Sequence, residues 1–425
     1  MYKNFLDFIK KGGYEKMGVE LGNIFDSAVK NSIFSDKSVL QVRYTPDSIP
    51  HRDEQIKQLA SILAPILRGE RVSNLFVYGK TGTGKTLSVQ YIKEELTKKA
   101  EKLGVDVRIE YLNCKLKKVA DTEYRILAAL IQQLGGTVPA TGLPTDQVYS
   151  RFIEIIDRKK QLIVLIFDEI DHAVKKMSDS FLYSLTRLNS ELSKAQISLI
   201  GISNDVTFLE NIDPRVRSSL GEEEFVFPPY NAVQLQEILG QRCKLAFKQN
   251  SVEDGVIAKC AAYAAREHGD ARRALDLLRI AGELSEREGR DKVTEEFIDM
   301  ANDKIERDKI LDIVESEPRQ FQVVLYSVLQ LTRSNKQKSL SGDRSQKFFT
   351  GDVYDLYQDY CKRVKTDVLT QRRVSDIIAE IDMLGLINAK VISKGRHGRT
   401  REIRLSIPQN LVDKVEAILV EALGL

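Results

Sequence analysis

A short apolar run, Leu75-Phe76-Val77-Tyr78, passes directly into Gly79-x-x-x-x-Gly84-Lys85-Thr86, and an amphipathic stretch then continues to about Leu103. A strand that turns through glycines into a helix leaves few folds open to the chain, because that context turns a pattern into a phosphate site. Gly79, Lys80, Thr81, Gly82, Thr83 and Gly84 form a loop whose glycines let the backbone wrap a phosphate with its N–H groups pointing inward. The helix that begins with Lys85, Thr86 and Leu87 adds a favourable field for negative charge at its N-terminus. Lys85 is placed to reach the β and γ phosphates of ATP, and the Thr86 hydroxyl to sit on Mg²⁺. A glycine-rich turn without a ligand is the plain alternative, and the flanking strand and helix argue against it.

A second apolar run, Leu162 to Phe167, ends in Asp168-Glu169. A wholly apolar strand is buried on both faces, so the carboxylates emerge at its C-terminal edge, where parallel sheets bind ligands. Asp168 is the candidate for the Mg²⁺ shell, and Glu169 for orienting or polarising the attacking water. Acidic pairs after strands also serve as helix caps; the loop about 80 residues upstream favours the catalytic reading. Asn204 closes the next apolar run, Ile197 to Ser203, and lies beside Asp168 if the strands are neighbours. Phosphoryl transfer spreads charge that guanidinium groups stabilise. Arg215 and Arg217, after Asp213-Pro214, and Arg272 and Arg273, after Gly269-Asp270-Ala271, are the candidates, with solvated surface as the alternative.

The chain has 425 residues, 42% of them apolar, enough for two to four domains without staples. Apolar strands alternating with amphipathic segments from Asn74 to Ser203 predict an α/β base with a parallel sheet. Helical patterns at 231–249, 254–267, 270–288 and 294–310 predict a helical domain, and Pro318 marks a boundary. Helices at 319–332, 350–363 and 370–384, then two strand-like runs around Gly395 and Gly398 and a last helix, predict a winged helix. The expected divisions are an arm at 1–40 without assigned chemistry, a base at 41–230, a helical domain at 231–310 and a winged-helix domain at 311–425. Four scattered cysteines argue against a zinc cage or a disulfide framework. No secretory signal or run of about 18 apolar residues is present, so a cytoplasmic, nucleoid-associated protein without a membrane partner is expected.

The net charge of +3 conceals a local excess. Residues 319–404 carry 17 Lys and Arg against 9 Asp and Glu, an excess of +8. In the stretch from Thr370, Val374, Ile377, Ile378 and Ile381 share one helical face. Arg372, Ser375 and Asp376 lie opposite, with Gln371 at the flank and Arg373 adjoining, where a recognition helix meets base edges. Lys394, Arg396, Arg399 and Arg401 then place four cations within eight residues, around Gly395 and Gly398. Such a wing lays arginines on phosphates or in a narrow minor groove. His397 reads as a polar loop residue.

These motifs, in this order, resemble the archaeal initiator proteins related to the origin recognition complex and the cell-division-cycle helicase loader, a branch of the AAA+ ATPases. The stretches that carry the likeness are Tyr44-Thr-Pro-Asp-Ser-Ile-Pro-His51-Arg52, Thr141-Gly142-Leu143-Pro144, Phe167-Asp168-Glu169-Ile170-Asp171, Asp213-Pro214-Arg215-Val216, Phe227-Pro228-Pro229-Tyr230-Asn231, Gly269-Asp270-Ala271-Arg272 and Gln371-Arg372-Arg373-Val374-Ser375. The resemblance covers about residue 25 to the end. It implies an AAA+ base, a helical lid and a C-terminal winged helix, with ATP or ADP between base and lid. By that likeness Asn204 takes the sensor 1 role and Arg272 the sensor 2 role, and Tyr230 and Arg242 help bind nucleotide. Arg215 or Arg217 is the finger offered to a neighbour's ATP, so the lone protein hydrolyses slowly. Thr141 and Gly142 begin an insertion in the base that touches DNA.

The function expected is that of an ATP-switched replication initiator, bound to double-stranded origin DNA and helping to recruit the minichromosome maintenance helicase, with paralogous initiators as further partners. A winged-helix transcriptional regulator with an AAA+ nucleotide sensor is the alternative. A clamp-loader-like motor is a third reading, against which the winged helix speaks.

Overall fold

The computed structural model describes residues 32–41, 44–46, 48–115, 122–139, 142–177, 180–220, 222–339, 348–393 and 399–425; of 180, 209, 211, 219, 222, 335–339, 393 and 399 it describes the backbone only. The chain divides into two compact units, one ending at Ile298 and the other beginning at Asp299. The expected lid boundary at 310 falls inside one helix, Glu295–Ser316.

The first unit is built on a parallel sheet of β1 (Asn74–Tyr78), β2 (Val107–Asn113), β3 (Leu162–Asp168), β4 (Gln196–Ser203) and β5 (Glu222–Val226), in the order β2-β3-β4-β1-β5. Alternation along the strands divides the apolar side chains between two faces. Phe76, Tyr78, Ile163, Leu165 and Phe167 pack with α3 (Glu123–Gln133), α4 (Thr145–Ile156) and α6 (Ser180–Glu191). Leu75, Val77, Leu162, Val164 and Ile166 pack with α1 (Asp53–Leu63) and α2 (Lys85–Leu103). Between Asp168 and α6 lies the short α5 (Ile170–Met177).

The strand β5 escapes sequence reading because it opens Glu222-Glu223-Glu224. Its charges are tolerated at the edge of the sheet, where it pairs only with β1. After α7 (Pro214–Leu220) and β5, a helical part follows: α8 (Ala232–Ala246), α9 (Val256–Arg266) and α10 (Ala271–Arg287). Asn231 and Gln234 form a capping box on α8, and Asp270 accepts from the Arg272 and Arg273 amides to cap α10.

The arm expected at 1–40 is in part a docked strap; residues 1–31 lie outside the described residues. Phe34 meets Phe247 with ring centroids 4.6 Å apart, and the amide of Lys248 donates to Ile33 O. Glu286 accepts from the Ser32 hydroxyl and the Ile33 amide, and Lys37 pairs with Glu283 at 2.7 Å. Burial of Ile33, Phe34, Val39 and Leu40 against the helical part supplies the reason.

The second unit holds the C-terminal part of α11 (Glu295–Ser316), then α12 (Arg319–Ser339), α13 (Thr350–Arg363), α14 (Gln371–Met383) and α15 (Val412–Leu423). Strands β6 (Phe348–Phe349), β7 (Ile387–Ser393) and β8 (Arg399–Leu405) form a sheet in the order β6-β8-β7. Val374, Ile377, Ile378 and Ile381 of α14 all enter its core, as their spacing predicts. Among the described residues no helix is long and apolar enough to cross a membrane, and all four cysteines are free thiols.

Candidate nucleotide site and nucleic-acid interface

The glycine loop joins β1 to α2 with Gly79, Gly82 and Gly84 all at positive φ, at 153°, 72° and 88°. These values, and the space around them, exclude side chains: a Cβ at Gly82 would lie 1.7 Å from Asp270 Oδ1. The cap of α10 is therefore seated on the loop. The amide of Ala271 donates to Gly82 O at 3.3 Å, joining the helical part to the loop through the backbone.

Lys85 is 5% exposed and donates to Gly79 O at 2.7 Å, to Lys80 O at 2.8 Å and to Asn204 Oδ1 at 2.8 Å. Asn204 reaches this lysine because β4 lies between β3 and β1, which puts the end of the run Ile197–Ser203 beside the loop. Burial pulls the Lys85 ammonium down to about 8, against the opposing pull of the Asp168 carboxylate. Asp168 Oδ2 accepts from Thr86 Oγ1 at 3.0 Å and from the Tyr111 hydroxyl at 2.6 Å, and Oδ1 accepts from the Glu169 amide. Glu169 adopts a left-handed conformation, φ 54°, and its carboxylate lies 3.5 Å from Lys115 Nζ. A non-glycine residue in that region is uncommon and concentrates at functional sites.

These groups open into a cavity of about 390 Å³. Gly82, Thr83, Gly84, Lys85, Thr86 and Leu87 line one side, with Asp168, Glu169 and Asn204. Tyr230, Arg242 and Arg272 line the other. Gly79, Lys80 and Thr81 are not among the lining residues; the carbonyls of the first two are the acceptors of Lys85. Arg215 and Arg217 are exposed on α7 and are likewise not in the lining; Arg217 lies 3.5 Å from Glu224.

Three contributors carry no role in the sequence reading. Tyr111 grips Asp168 from the neighbouring strand β2, a relation visible only once Asn113 and Asp168 are known to pair. Tyr44 walls the cavity from the strap and lies under the Arg242 guanidinium, 4.3 Å from its ring centroid. Arg52 is 1% exposed; it donates to Thr83 O, His51 O and Pro228 O and stacks 3.7 Å from the Tyr230 ring centroid. Tyr44 and Arg52 are the two ends of one stretch that carries the family likeness, a signal to which the sequence attaches no mechanism.

In the second unit Gln371, Arg372 and Arg373 are exposed on the first turn of α14, capped by Thr370, and Arg373 lies 3.9 Å from Asp376. Gln371, Arg372 and Ser375 line a surface depression with Thr350, Val391, Thr400 and Arg401. Arg401 is half-buried, and its Nη1 donates to Ser375 O at 2.7 Å. Of the other wing residues, Lys394 and Arg396 lie outside the described residues, and for Arg399 only the backbone in β8 is described. In the first unit Thr141 lies outside the described residues, whereas Gly142 is exposed at φ 106° ahead of α4.

Three family models match the chain in sequence. The AAA domain matches residues 69–207, the Cdc6 AAA+ ATPase-type lid domain 236–303, and the CDC6 C-terminal winged helix domain 312–415. The ORC1-type DNA replication protein of Pyrococcus furiosus is 50% identical over 394 residues, covering 92% of this chain and 91% of the relative. ORC1-type DNA replication protein 1 of Methanosarcina acetivorans is 49% identical over 390 residues, covering 92% and 91%. Among solved structures, that of the Aeropyrum pernix ORC1 protein in complex with DNA superposes with a TM-score of 0.79 at 41% identity, covering 92% of this chain and 98% of that one. The Aeropyrum pernix ORC2 protein in its ADPNP-ADP complexes shares the fold at 21% identity, with a TM-score of 0.57 and coverage of 92% and 98%. With half its residues identical to such relatives over nine-tenths of its length, the chain belongs to the ORC1-type DNA replication proteins, initiators built from an AAA+ ATPase base, a Cdc6-type lid and a winged helix.

Proposed function

We propose that this protein binds double-stranded origin DNA, that its ATP or ADP state regulates that binding, and that it helps recruit the minichromosome maintenance helicase. The observation that carries the switch is the seating of α10 on the glycine loop, Ala271 N–H to Gly82 O, with Arg272 in the cavity lining. A γ phosphate in that cavity changes what Arg272 and the loop can bond, so it shifts the lid between arrangements.

The residues fit the expected metal. Thr86 Oγ1 and Asp168 Oδ2 are hard oxygen donors 3.0 Å apart at the cavity wall, the type Mg²⁺ takes, and they would hold it there. Bound there, Mg²⁺ would neutralise charge developing on the phosphate oxygens. Lys85 binds the phosphates, Asn204 fixes Lys85 and the water, and Glu169 orients that water for attack. Arg272 balances charge from the lid. Arg215 or Arg217 completes a neighbour's site, because neither lines its own cavity; a lone copy therefore turns over slowly and hydrolysis acts as a timer. Gln371 and Arg372 meet base edges while wing cations hold phosphates, and the protein works on the nucleoid in the cytoplasm. The DNA complex of the Aeropyrum pernix ORC1 protein supports this reading.

The test is binding of duplex from the source organism's origin region and of scrambled duplex, each with ATP and with ADP, followed by helicase pull-down on the bound DNA. Preference for the origin duplex, modulated by nucleotide and accompanied by helicase capture, is expected. Origin preference without helicase capture would shift the assignment to a transcriptional regulator, and equal binding of both duplexes would remove the origin reading.

A further inference from the structure

We propose that Arg401 is a positioning residue for DNA reading, a brace that sets the angle between wing and recognition helix and touches no nucleic acid itself. The inference rests on the duplex-binding reading given above and assigns one cation of the wing to a different task.

Alternation along β8 puts Arg401 on the same face as Ile403, which is wholly buried in the core of the unit, and puts Glu402 and Arg404 opposite, where they pair at 2.9 Å. β8 is the central strand of the three, and on this face Arg401 stands against α14, at the margin of the surface depression that Gln371, Arg372 and Ser375 also line. From there the guanidinium donates to Ser375 O at 2.7 Å, a carbonyl in the second turn of α14. The backbone of the same residue donates to Thr350 Oγ1 at 3.3 Å, at the start of α13. One residue thus ties the wing strand to the reading helix and to the helix before it.

The acceptor at Ser375 is unusual. A carbonyl in mid-helix already accepts one intrahelical amide, and its second lone pair is ordinarily left to water. A charge-assisted bond there fixes the helix against the wing more firmly than a neutral contact would. Val391, paired with Arg401 across the sheet, is 57% exposed and lines the same depression as Gln371 and Arg372. The brace therefore also sets how far this valine stands from the side chains that read bases, within about the tolerance a recognition site needs.

A phosphate contact and a brace make opposite demands on the salt dependence of binding. Removing a cation that neutralises a phosphate lowers the slope of log K against log salt by about 0.9, equally for every sequence. Removing a brace lowers discrimination and leaves the slope alone. Origin and scrambled duplexes are titrated over a salt series with wild type, Arg401→Ala, Arg401→Lys and Thr350→Val. The expected result is an origin-to-scrambled ratio reduced roughly tenfold in Arg401→Ala, the scale of one charge-assisted bond, with the slope unchanged and much of the ratio recovered in Arg401→Lys. Thr350→Val alters no charge and lowers the ratio in the same direction, which keeps the test open if Arg401→Ala does not fold. A slope reduced by about one unit with the ratio intact would make Arg401 a phosphate contact and overturn the proposal. So would a Thr350→Val ratio equal to that of wild type. A wild-type ratio of one would instead remove origin recognition itself.

Discussion

Nζ of Lys85 donates to Oδ1 of Asn204 at 2.8 Å, so the loop that opens α2 and the tip of β4 meet in one buried ammonium. Burial lowers that ammonium to about 8 from 10.5. Between these values the unfolded chain keeps a proton that the folded chain has released, so this group's contribution to stability increases with pH across the window. Nucleotide binding carries the opposite sign. A phosphate beside Lys85 restores the charge, so above about pH 8 binding takes up a proton and affinity for ADP falls as pH rises. Calorimetric titration at pH 8.5 in two buffers of different ionisation enthalpy should reveal net uptake; none would mean that Lys85 stays charged.

Glu169→Gln keeps the shape of the cavity and removes the carboxylate. Turnover should fall about 100-fold, the usual scale for loss of a general base, while the Kd for ADP stays within about threefold. Phosphate release and a fluorescent ADP analogue measure the two quantities. Unchanged turnover would move the water-orienting role elsewhere.

Gly82→Ala introduces a Cβ at φ 72° and against the Asp270 carboxylate. It should weaken nucleotide binding and cost more than the roughly 1–2 kcal/mol of a left-handed alanine. Asp270→Ala loses a helix cap, about 1 kcal/mol. Since Asp270 causes the clash, the double variant should be less destabilised than the two singles combined, by about 1 kcal/mol or more in urea melts. Strict additivity would show that loop and lid are not in contact in solution.

Arg52→Ala removes the donor to three carbonyls, those of Thr83, His51 and Pro228, the first of them on a wholly buried residue, and empties a buried side-chain site. A loss of about 3 kcal/mol or more is expected in equilibrium unfolding. Arg52→Lys should recover only part of it, because an ammonium cannot reproduce a planar fork stacked on Tyr230. Full recovery would reduce the role of Arg52 to its charge.

Alanine at Lys394, Arg396 and Arg399 together should lower the salt slope of duplex binding by about 2.7, at about 0.9 per phosphate contact, for origin and scrambled DNA alike. Arg372→Ala should chiefly lower the origin preference, because it stands on the exposed first turn of the reading helix. If the slope holds in the triple variant, the wing does not grip the backbone.

Where one strand or helix carries its own pattern, the sequence was sufficient. The buried run Leu162–Phe167, the glycine loop and the apolar stripe of α14 all stand where their periodicity puts them. What escaped depends on partners distant in sequence. The Glu-rich β5 is a strand only because an edge position tolerates its charges, and Tyr111 meets Asp168 only through the register of two strands more than 50 residues apart. Arg401 shows the same limit: composition marks it as basic surface, and only the alternation of β8 beside α14 turns it inward.

The strap, described at 32–41, 44–46 and 48–50, is also part of the nucleotide cavity. Gln41, Tyr44, Pro46 and Ile49 wall a cavity whose loop lies some forty residues further on, while Phe34 and Lys37 are moored on the helical part. The site is thus assembled from stretches of chain, from Gln41 to Leu275, that are synthesised at different times. A chain trimmed to begin at Asp53 would retain every recognisable ATPase motif and still lack a wall of its pocket.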